Sequence, residues 1–386
     1  MKKKIAILGS TGSIGRTLIN ILYNEKKKIS IKLLTTNKNY KLVLIQAKKF
    51  NVKNVVITDK NSFLKCIKNK KNIGIKIYND FNSLNQIFLK KIDYVMSSIS
   101  GIDGMEPTYN IIKYTKKIAI ANKEGIICGW NLLKKQMTKY RTEFLPVDSE
   151  HFSIWYALKN NNDEIDKIFL TASGGPFYNL PLNKFKDIKL GQALKHPNWK
   201  MGKKISIDSA TMMNKVFEII EAKKIFNIKY SQLKILNHPK SYIHAIVQFS
   251  NGMSKLIAHN TSMKIPIFNT LYNHIPKRNK PQILRVDLLN NLALKEVDYK
   301  KFPLVKILKS IPRNDSLFET VLVSINDALV DLFLKDKIKF NDISKKFIKL
   351  INYKEFNKYK KIAPKKIEDI TNLSKLVHLK VKTKSI

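Results

Sequence analysis

The chain has 386 residues, more than one hydrophobic core usually supports, so two or three domains are expected. A hydrophobic share of 44% is enough for packed cores and argues against global disorder. The formal net charge is +43, but the lysines run along the whole chain among abundant Asn and Ile instead of gathering in one arm, which reads as compositional drift and not as a specific nucleic-acid interface.

No apolar run reaches membrane-spanning length, and Ile5-Ala6-Ile7-Leu8 is too short for the core of a signal peptide. A cytoplasmic protein with no membrane partner is expected. Cys66 and Cys128 have no metal-type or redox-type spacing and read as free thiols.

In chain order, residues 2–8 read as a short buried strand, 9–15 as a glycine turn and 14–22 as a helix with apolar positions at helical spacing. Further strands are predicted at 29–34, 52–58 and 92–97, so a parallel α/β sheet runs to about residue 145. Next come strands at 144–147 and 168–171, then a helix over 209–226 capped by Asp208 or Ser209, then a hairpin of 243–249 and 254–258 around Asn251-Gly252. Residues 260–285, with Pro266, Pro276 and Pro281, read as a linker. Beyond about 300 the chain is predicted helical, with Leu317, Val321, Leu322, Ile325, Leu329, Leu332 and Phe333 on one face. The expected class is α/β: a Rossmann-type domain over 1–147, a mixed α+β catalytic domain over 148–273, a linker over 274–298 and a C-terminal helical bundle over 299–386.

Gly9-Ser10-Thr11-Gly12-Ser13-Ile14-Gly15 follows a strand and opens a helix, the context in which glycines let a dinucleotide pyrophosphate approach the helix N-terminus. An NAD site would place an acid at the end of the second strand. Here the stretch is Thr35-Thr36-Asn37-Lys38-Asn39, which suits the extra phosphate of NADP. Asp148-Ser149-Glu150 follows a strand-like segment, and residues i and i+2 of an extended chain face the same way. Asn214, Lys215 and Glu218 share one helix face. Three carboxylates without Cys or paired His form a hard oxygen site, better suited to Mg²⁺ or Mn²⁺ than to Zn²⁺. Ser209, Asn214 and Lys215 near a helix start, and the loop Thr171-Ala172-Ser173-Gly174-Gly175-Pro176, read as a phosphate cradle. Glu221 reads as an ion-pair partner of a lysine. The loop His196-Pro197-Asn198-Trp199-Lys200-Met201-Gly202 reads equally well as a lid or as a Trp packed on the core.

Taken together, GSTGSIG at 9–15, ANKE at 121–124, LPVDSEH at 145–151, TASGGPF at 171–177, the block HPNWKMGKKISIDSATMMNK at 196–215 and HPKSYIHAIV at 238–247 resemble the 1-deoxy-D-xylulose 5-phosphate reductoisomerases, over nearly the whole chain. The resemblance implies a three-domain homodimer whose catalytic domain carries dimer-forming strands. It implies conversion of 1-deoxy-D-xylulose 5-phosphate to 2-C-methyl-D-erythritol 4-phosphate with NADPH, in the non-mevalonate isoprenoid pathway. By this resemblance Asp148, Glu150 and Glu218 hold Mg²⁺ or Mn²⁺. Lys123, Ser149 and His196 line the substrate as catalytic residues, and Ser173, Ser209, Asn214 and Lys215 bind its phosphate side with Glu218 nearby. Thr11, Gly12, Ser13, Ile14, Lys38, Asn39, Asn122, Glu124 and Gly202 contact NADPH, and Trp199 and Met201 sit on a closing loop. Two positions depart from the family pattern: Asn37 stands where Gly is expected, and Gly125 where Ser is usual.

Two other readings remain open at this stage. A semialdehyde or homoserine-type dehydrogenase would need no three-carboxylate site, and the aldehyde-oxidising kind would need an active-site Cys. A nucleic-acid-binding protein would need lysines clustered on one face.

Overall fold

The computed structural model describes residues 2–68, 74–199, 201–272 and 284–385. It contains two compact units, one of Met1–Gly125, Asn131–Asp148 and Met263–Lys277, the other of Ile126–Trp130, Ser149–Ser262 and Arg278–Ile386.

The first unit is built on seven parallel strands: β1 Lys3–Leu8, β2 Ile29–Thr36, β3 Asn54–Ile57, β4 Lys76–Tyr78, β5 Tyr94–Ser97, β6 Lys117–Ile120 and β7 Glu143–Pro146. Ile5 to Leu8 and Tyr94 to Ser97 are buried at every position, because helices cover both faces of a parallel sheet. The order β4-β3-β2-β1-β5-β6-β7 is the doubly wound arrangement, with a short extra edge strand. Strand order reverses at β1, between β2 and β5, so the crevice beyond the carboxyl ends of β1 and β5 is where such a sheet receives a ligand. Helices α1 Ser13–Tyr23, α2 Tyr40–Phe50 and α3 Lys60–Ile67 follow β1, β2 and β3, and α4 Lys123–Lys139 follows β6.

One prediction fails here. Residues 264–271, read as linker, form a helix that buries Pro266, Ile267, Thr270 and Leu271. Pro266 falls in its first turn, where the missing N–H removes no helical hydrogen bond. Tertiary contacts hold this short helix: the Tyr94 hydroxyl meets Thr270 Oγ1 at 3.1 Å, and Lys3 Nζ donates to the Leu271 carbonyl. Pro276 and Pro281 of the same predicted linker lie outside the described residues, as does Lys200 of the predicted loop.

The second unit holds a five-stranded sheet of β8 Ile165–Ala172, β9 Leu233–Asn237, β10 Ile243–Phe249, β11 Ser254–Ala258 and β12 Lys295–Glu296, in the order β11-β10-β8-β9-β12. The predicted hairpin is β10–β11, and Gly252 supplies the positive φ its turn requires. Ile168, Leu170, Ala245 and Val247 on the sheet pack with Ile154, Ile219 and Ala222 from α5 Ser149–Leu158 and α7 Met213–Phe226. Strands β8 and β9 are parallel, so the chain must cross over between them, and residues 173–232 of that crossover carry most of the candidate site.

The helix predicted over 209–226 is in fact two. Helix α6 spans Lys203–Ala210, and α7 begins at Met213 after a turn in which Met212 is left-handed at φ 62°. Asp208 and Ser209 therefore end α6 and cap nothing. Asp208 turns inward, where its buried carboxylate accepts from Asn326 Nδ2 at 2.7 Å, and this tertiary bond outweighs its local capping preference. Toward the C-terminus lie α8 Phe318–Leu334, α9 Phe340–Ile351 and α10 Ile367–Ser385, and all seven residues predicted for one apolar face are buried.

Candidate active site

In the first unit the glycine turn has the shape a pyrophosphate site needs. Gly9 has φ +79°, and a Cβ there would lie 2.8 Å from the Ser98 carbonyl oxygen. A Cβ on Gly15 would lie 2.4 Å from the Gly9 carbonyl oxygen. Gly12 caps α1 in extended conformation, leaving the first-turn N–H groups of Ser13 and Ile14 without intrahelical acceptors. Thr11 Oγ1 meets Thr36 Oγ1 at 2.7 Å, which ties the turn to the end of β2.

Beyond β2, Asn37, Lys38 and Asn39 are exposed. Asn39 caps α2, its side chain accepting from Leu42 N at 3.2 Å, and Asn37 Nδ2 donates to Thr58 Oγ1 at 2.9 Å. Asp59, at the end of β3, caps α3 through Ser62 N at 2.8 Å. Hydrogen bonds from Ser62, reinforced by the Lys38 charge, hold its carboxyl below the usual range.

At the end of β6, Asn122 caps α4 by accepting from Gly125 N, and it donates to the Gly101 carbonyl at 2.7 Å and to that of Ile99. Glu124 accepts from Gly101 N at 3.3 Å. Asn122 and Glu124 thus shape the loop after β5. Gly104 is obligatory there, since a Cβ would meet Asn122 Nδ2 and the Ile99 carbonyl at 2.3 Å. At Gly125 a Cβ would stand 3.0 Å from Asn122 Oδ1, so glycine leaves room for the cap.

The acidic residues meet where β7 runs into α5. Helix α5 begins at Ser149, so Glu150 lies in a helical first turn and the extended-chain argument for its pairing with Asp148 does not hold. The turn brings them together all the same: Asp148, Glu150 and Glu218 each offer a carboxylate oxygen, all within 4.8 Å of one another. An all-oxygen set of this kind fits Mg²⁺ or Mn²⁺. Each carboxylate also faces a donor: Lys123 Nζ is 2.8 Å from Asp148 Oδ2, and Lys215 Nζ is 2.8 Å from Glu150 Oε1 and in contact with Glu218 Oε2. Ser149 Oγ donates to Glu150 Oε2, and Asn214 Nδ2 to Glu218 Oε1. Burial opposes the charge on Lys215, but Glu150 and Glu218 outweigh it and hold its ammonium above the usual range.

A hydroxyl cluster lies on the crossover of the second unit. His196 Nδ1 accepts from the backbone N–H groups of Asn198 (3.1 Å) and Trp199 (2.9 Å). A nitrogen that accepts twice carries no proton, so the neutral ring is protonated at Nε2 and donates to Ser173 Oγ at 3.0 Å. Gly175 N also donates to Ser173 Oγ, at 3.0 Å. With both lone pairs engaged, the Ser173 hydroxyl proton is left for an anion. Burial, with the Lys215 charge second, pushes the His196 pKa down to about 4, so the ring is neutral near pH 7.

Gly174 and Gly175 both have positive φ, and a Cβ on Gly175 would lie 2.8 Å from the Ser209 carbonyl oxygen. The Ser173 loop therefore lies directly against the end of α6. Ser209 is half-buried at that end, one turn before α7, so the predicted placement of Ser209 at a helix start is corrected. Asn214 and Lys215 do occupy the first turn of α7.

Trp199 is half-buried, with its ring edge-on to His244 (centroids 6.0 Å apart), and His244 stacks on His259 at 3.8 Å. Asn198 Nδ2 tethers the loop to the Pro239 carbonyl (2.7 Å) and to Ser241 Oγ (2.9 Å). Met201 is half-buried, and Gly202 is exposed as the cap of α6. His151 Nε2 meets the Glu218 carbonyl at 2.9 Å, and Glu221 Oε2 lies 3.9 Å from His151 Nδ1.

Residues 5–129 match the family model for 1-deoxy-D-xylulose 5-phosphate reductoisomerase, and residues 144–226 and 259–379 match models for its C-terminal domains. The 1-deoxy-D-xylulose 5-phosphate reductoisomerase of Pelagibacter ubique is 59% identical over 387 residues, covering 100% of both chains. The chain belongs to the 1-deoxy-D-xylulose 5-phosphate reductoisomerase family. A Wolbachia reductoisomerase is 37% identical, over 100% of this chain and 96% of the relative. Among solved structures, the Zymomonas mobilis reductoisomerase in complex with NADPH aligns with a TM-score of 0.88 at 29% identity, over 100% of this chain and 99% of that one. A reductoisomerase in complex with NADPH, fosmidomycin and magnesium aligns with a TM-score of 0.91 at 29% identity, over 99% and 98%.

Within this reductoisomerase frame, sequence reading passed over Asp59, Gly104, His151 and the Asp208–Asn326 bond. Gly104 ends the glycine-bearing stretch 98–104 and had a local signal. Asp59, three residues before Ser62, had a local capping signal as well, whereas His151 and the Asp208–Asn326 bond act through contacts between segments far apart in sequence, which local spacing does not reveal.

Proposed function

We propose that the chain converts 1-deoxy-D-xylulose 5-phosphate to 2-C-methyl-D-erythritol 4-phosphate, oxidising NADPH, with Mg²⁺ or Mn²⁺ bound by Asp148, Glu150 and Glu218. The observation that carries this reading is the cluster of three carboxylates within 4.8 Å in a chain of this family. NADPH and magnesium in the solved relatives support the same cofactors.

A bound divalent ion supplies Lewis acidity to the carbonyl and neighbouring hydroxyl oxygens of the sugar, and NADPH supplies the hydride that reduces the rearranged aldehyde. The side chains do the rest. Thr11, Gly12, Ser13 and Ile14 receive the NADPH pyrophosphate at the start of α1, Lys38 and Asn39 the ribose phosphate side, and Asn122, Glu124 and Gly202 complete the cofactor contacts. Ser173 offers its hydroxyl proton to the substrate phosphate, with Ser209, Asn214 and Lys215. The phosphate is remote from the reacting carbons, so its binding energy serves orientation. Lys123, Ser149 and His196 line the sugar, and Trp199 and Met201 exclude water above it. We assign NADPH binding to the first unit, metal and substrate binding to Asp148 and the second unit, and a homodimer formed through the five-stranded sheet, whose edge strand β11 exposes Leu256. A cytoplasmic setting agrees with two buried cysteines, Cys66 and Cys128, at no redox-type spacing.

The test follows NADPH absorbance with 1-deoxy-D-xylulose 5-phosphate, with and without Mg²⁺ or Mn²⁺, in the native chain and in Glu218→Gln. Metal-dependent oxidation that collapses in the variant is expected. A folded native chain that leaves NADPH unchanged with metal present would sink the assignment.

A further inference from the structure

We propose that Asn326, on α8, is a positioning residue for the phosphate side of the substrate site, acting through Asp208 on the end of α6. This rests on the phosphate role given above to Ser173, Ser209, Asn214 and Lys215.

Two side chains of α6 and two of α8 close a small polar network. Asn326 Nδ2 donates to Asp208 Oδ1 at 2.7 Å, Lys204 Nζ lies 3.4 Å from Asp208 Oδ2, and Lys204 Nζ lies 2.9 Å from Asp327 Oδ1. Asp208 is 2% exposed and Asn326 0%. Asn326 Oδ1 is buried without a hydrogen-bond partner among the described residues, so this amide is held at a cost to stability. An apolar residue at 326 would avoid that cost, and what the amide provides in exchange is a fixed, hydrogen-bonded Asp208.

The fixed point matters because of what adjoins it. Ser209 follows Asp208, and its carbonyl is the surface on which Gly175 packs so closely that a Cβ would stand 2.8 Å away. The position of Ser173 is thereby set by the end of α6. Four residues after Asp208 the chain takes its left-handed step at Met212 and starts α7 with Asn214 and Lys215. A shift of α6 displaces all four phosphate-side residues together, while the glycine turn at 9–15 belongs to the other unit.

The experiment compares Asn326→Leu, nearly isosteric but without a donor, with the exchanged pair Asp208→Asn/Asn326→Asp, which restores the bond in reverse. KM and kcat are measured for 1-deoxy-D-xylulose 5-phosphate, KM for NADPH, and turnover of unphosphorylated 1-deoxy-D-xylulose. Asn326→Leu is expected to lower kcat/KM for the phosphorylated sugar about ten- to a hundredfold, as misplacement by about an ångström does. Its NADPH KM and its turnover of the unphosphorylated sugar stay within about twofold, and the exchanged pair recovers most of the loss. An unchanged kcat/KM overturns the proposal, as does an equal loss with both sugars, or an exchanged pair no better than Asn326→Leu. Should Asn326→Leu fail to fold, Asn326→Ser is read by the same criteria. A native chain that does not turn over the phosphorylated sugar refutes the functional reading itself, whereas an active native chain with an indifferent Asn326→Leu refutes only this inference.

Discussion

Replacing Lys215 with methionine leaves Glu150 and Glu218 facing each other without their shared ammonium. Glu218 is 1% exposed and Glu150 14% at the side chain. Removing one partner of a fully buried ion pair costs about 3–5 kcal/mol, and the residual exposure of Glu150 with the bonds from Ser149 and Asn214 lowers this to about 2–3 kcal/mol. At roughly 2–4 °C per kcal/mol for a unit of this size, metal-free Lys215→Met should unfold about 4–12 °C below the native chain. Mn²⁺ at a hundred times its dissociation constant contributes about 2.7 kcal/mol, so it should return most of that loss. In the native chain the ion competes with the Lys215 ammonium for the same oxygens and should stabilise less. The assay is thermal unfolding followed by circular dichroism with and without Mn²⁺, paired with a titration of free Mn²⁺ by electron paramagnetic resonance, both without substrate. Tighter Mn²⁺ binding by the variant is expected. Equal metal-free unfolding temperatures, or an Mn²⁺ gain no larger in the variant than in the native chain, would refute the reasoning.

In Gly15→Ala the new Cβ meets the Gly9 carbonyl oxygen at 2.4 Å and Ser10 Cα at 2.6 Å, so the turn must open. About 1–3 kcal/mol of stability should be lost, and NADPH affinity by fluorescence titration should weaken about tenfold or more; unchanged affinity would mean that the turn does not hold the cofactor. For His196, burial and then the Lys215 charge hold the folded pKa at about 4, below the unfolded value near 6.5. The unfolded chain thus takes up this proton first as pH falls, so the neutral ring's contribution to stability is complete above about pH 6.5 and is lost on the way down through pH 4. Ring NMR should show a midpoint near 4, and steady-state kinetics should show a KM for the sugar phosphate that rises below about pH 5 as Nδ1 releases Asn198 and Trp199. A midpoint near 6.5 would contradict the reading that burial disfavours the charged ring.

Short-range pattern carried the elements whose burial is repetitive. Strands β1, β2, β3, β5 and β7 and the face of α8 carry apolar patterns that stay buried wherever the segment packs, whereas β4, with no buried residue, and β6 were not foreseen from the sequence. The glycine turn was equally legible, because its backbone demands lie within seven consecutive residues. Asp148 and Glu150 were paired for a reason that failed, since α5 begins between them, yet proximity along the chain kept the pair together.

The sequence by itself determined the α/β class, the dinucleotide turn and the Asp148–Glu150 pair, because each is written in neighbouring residues, whereas Glu218 joins that pair from a separate helix. Only the tertiary structure decided that 264–271 is a helix, that the predicted helix over 209–226 breaks at Met212, and that Asp208 answers to Asn326, 118 residues away. A proline-bearing octapeptide and a mid-motif aspartate have no local preference strong enough to settle their fate. Burial against distant segments, and the cost of leaving a buried carboxylate without a donor, settles it for them.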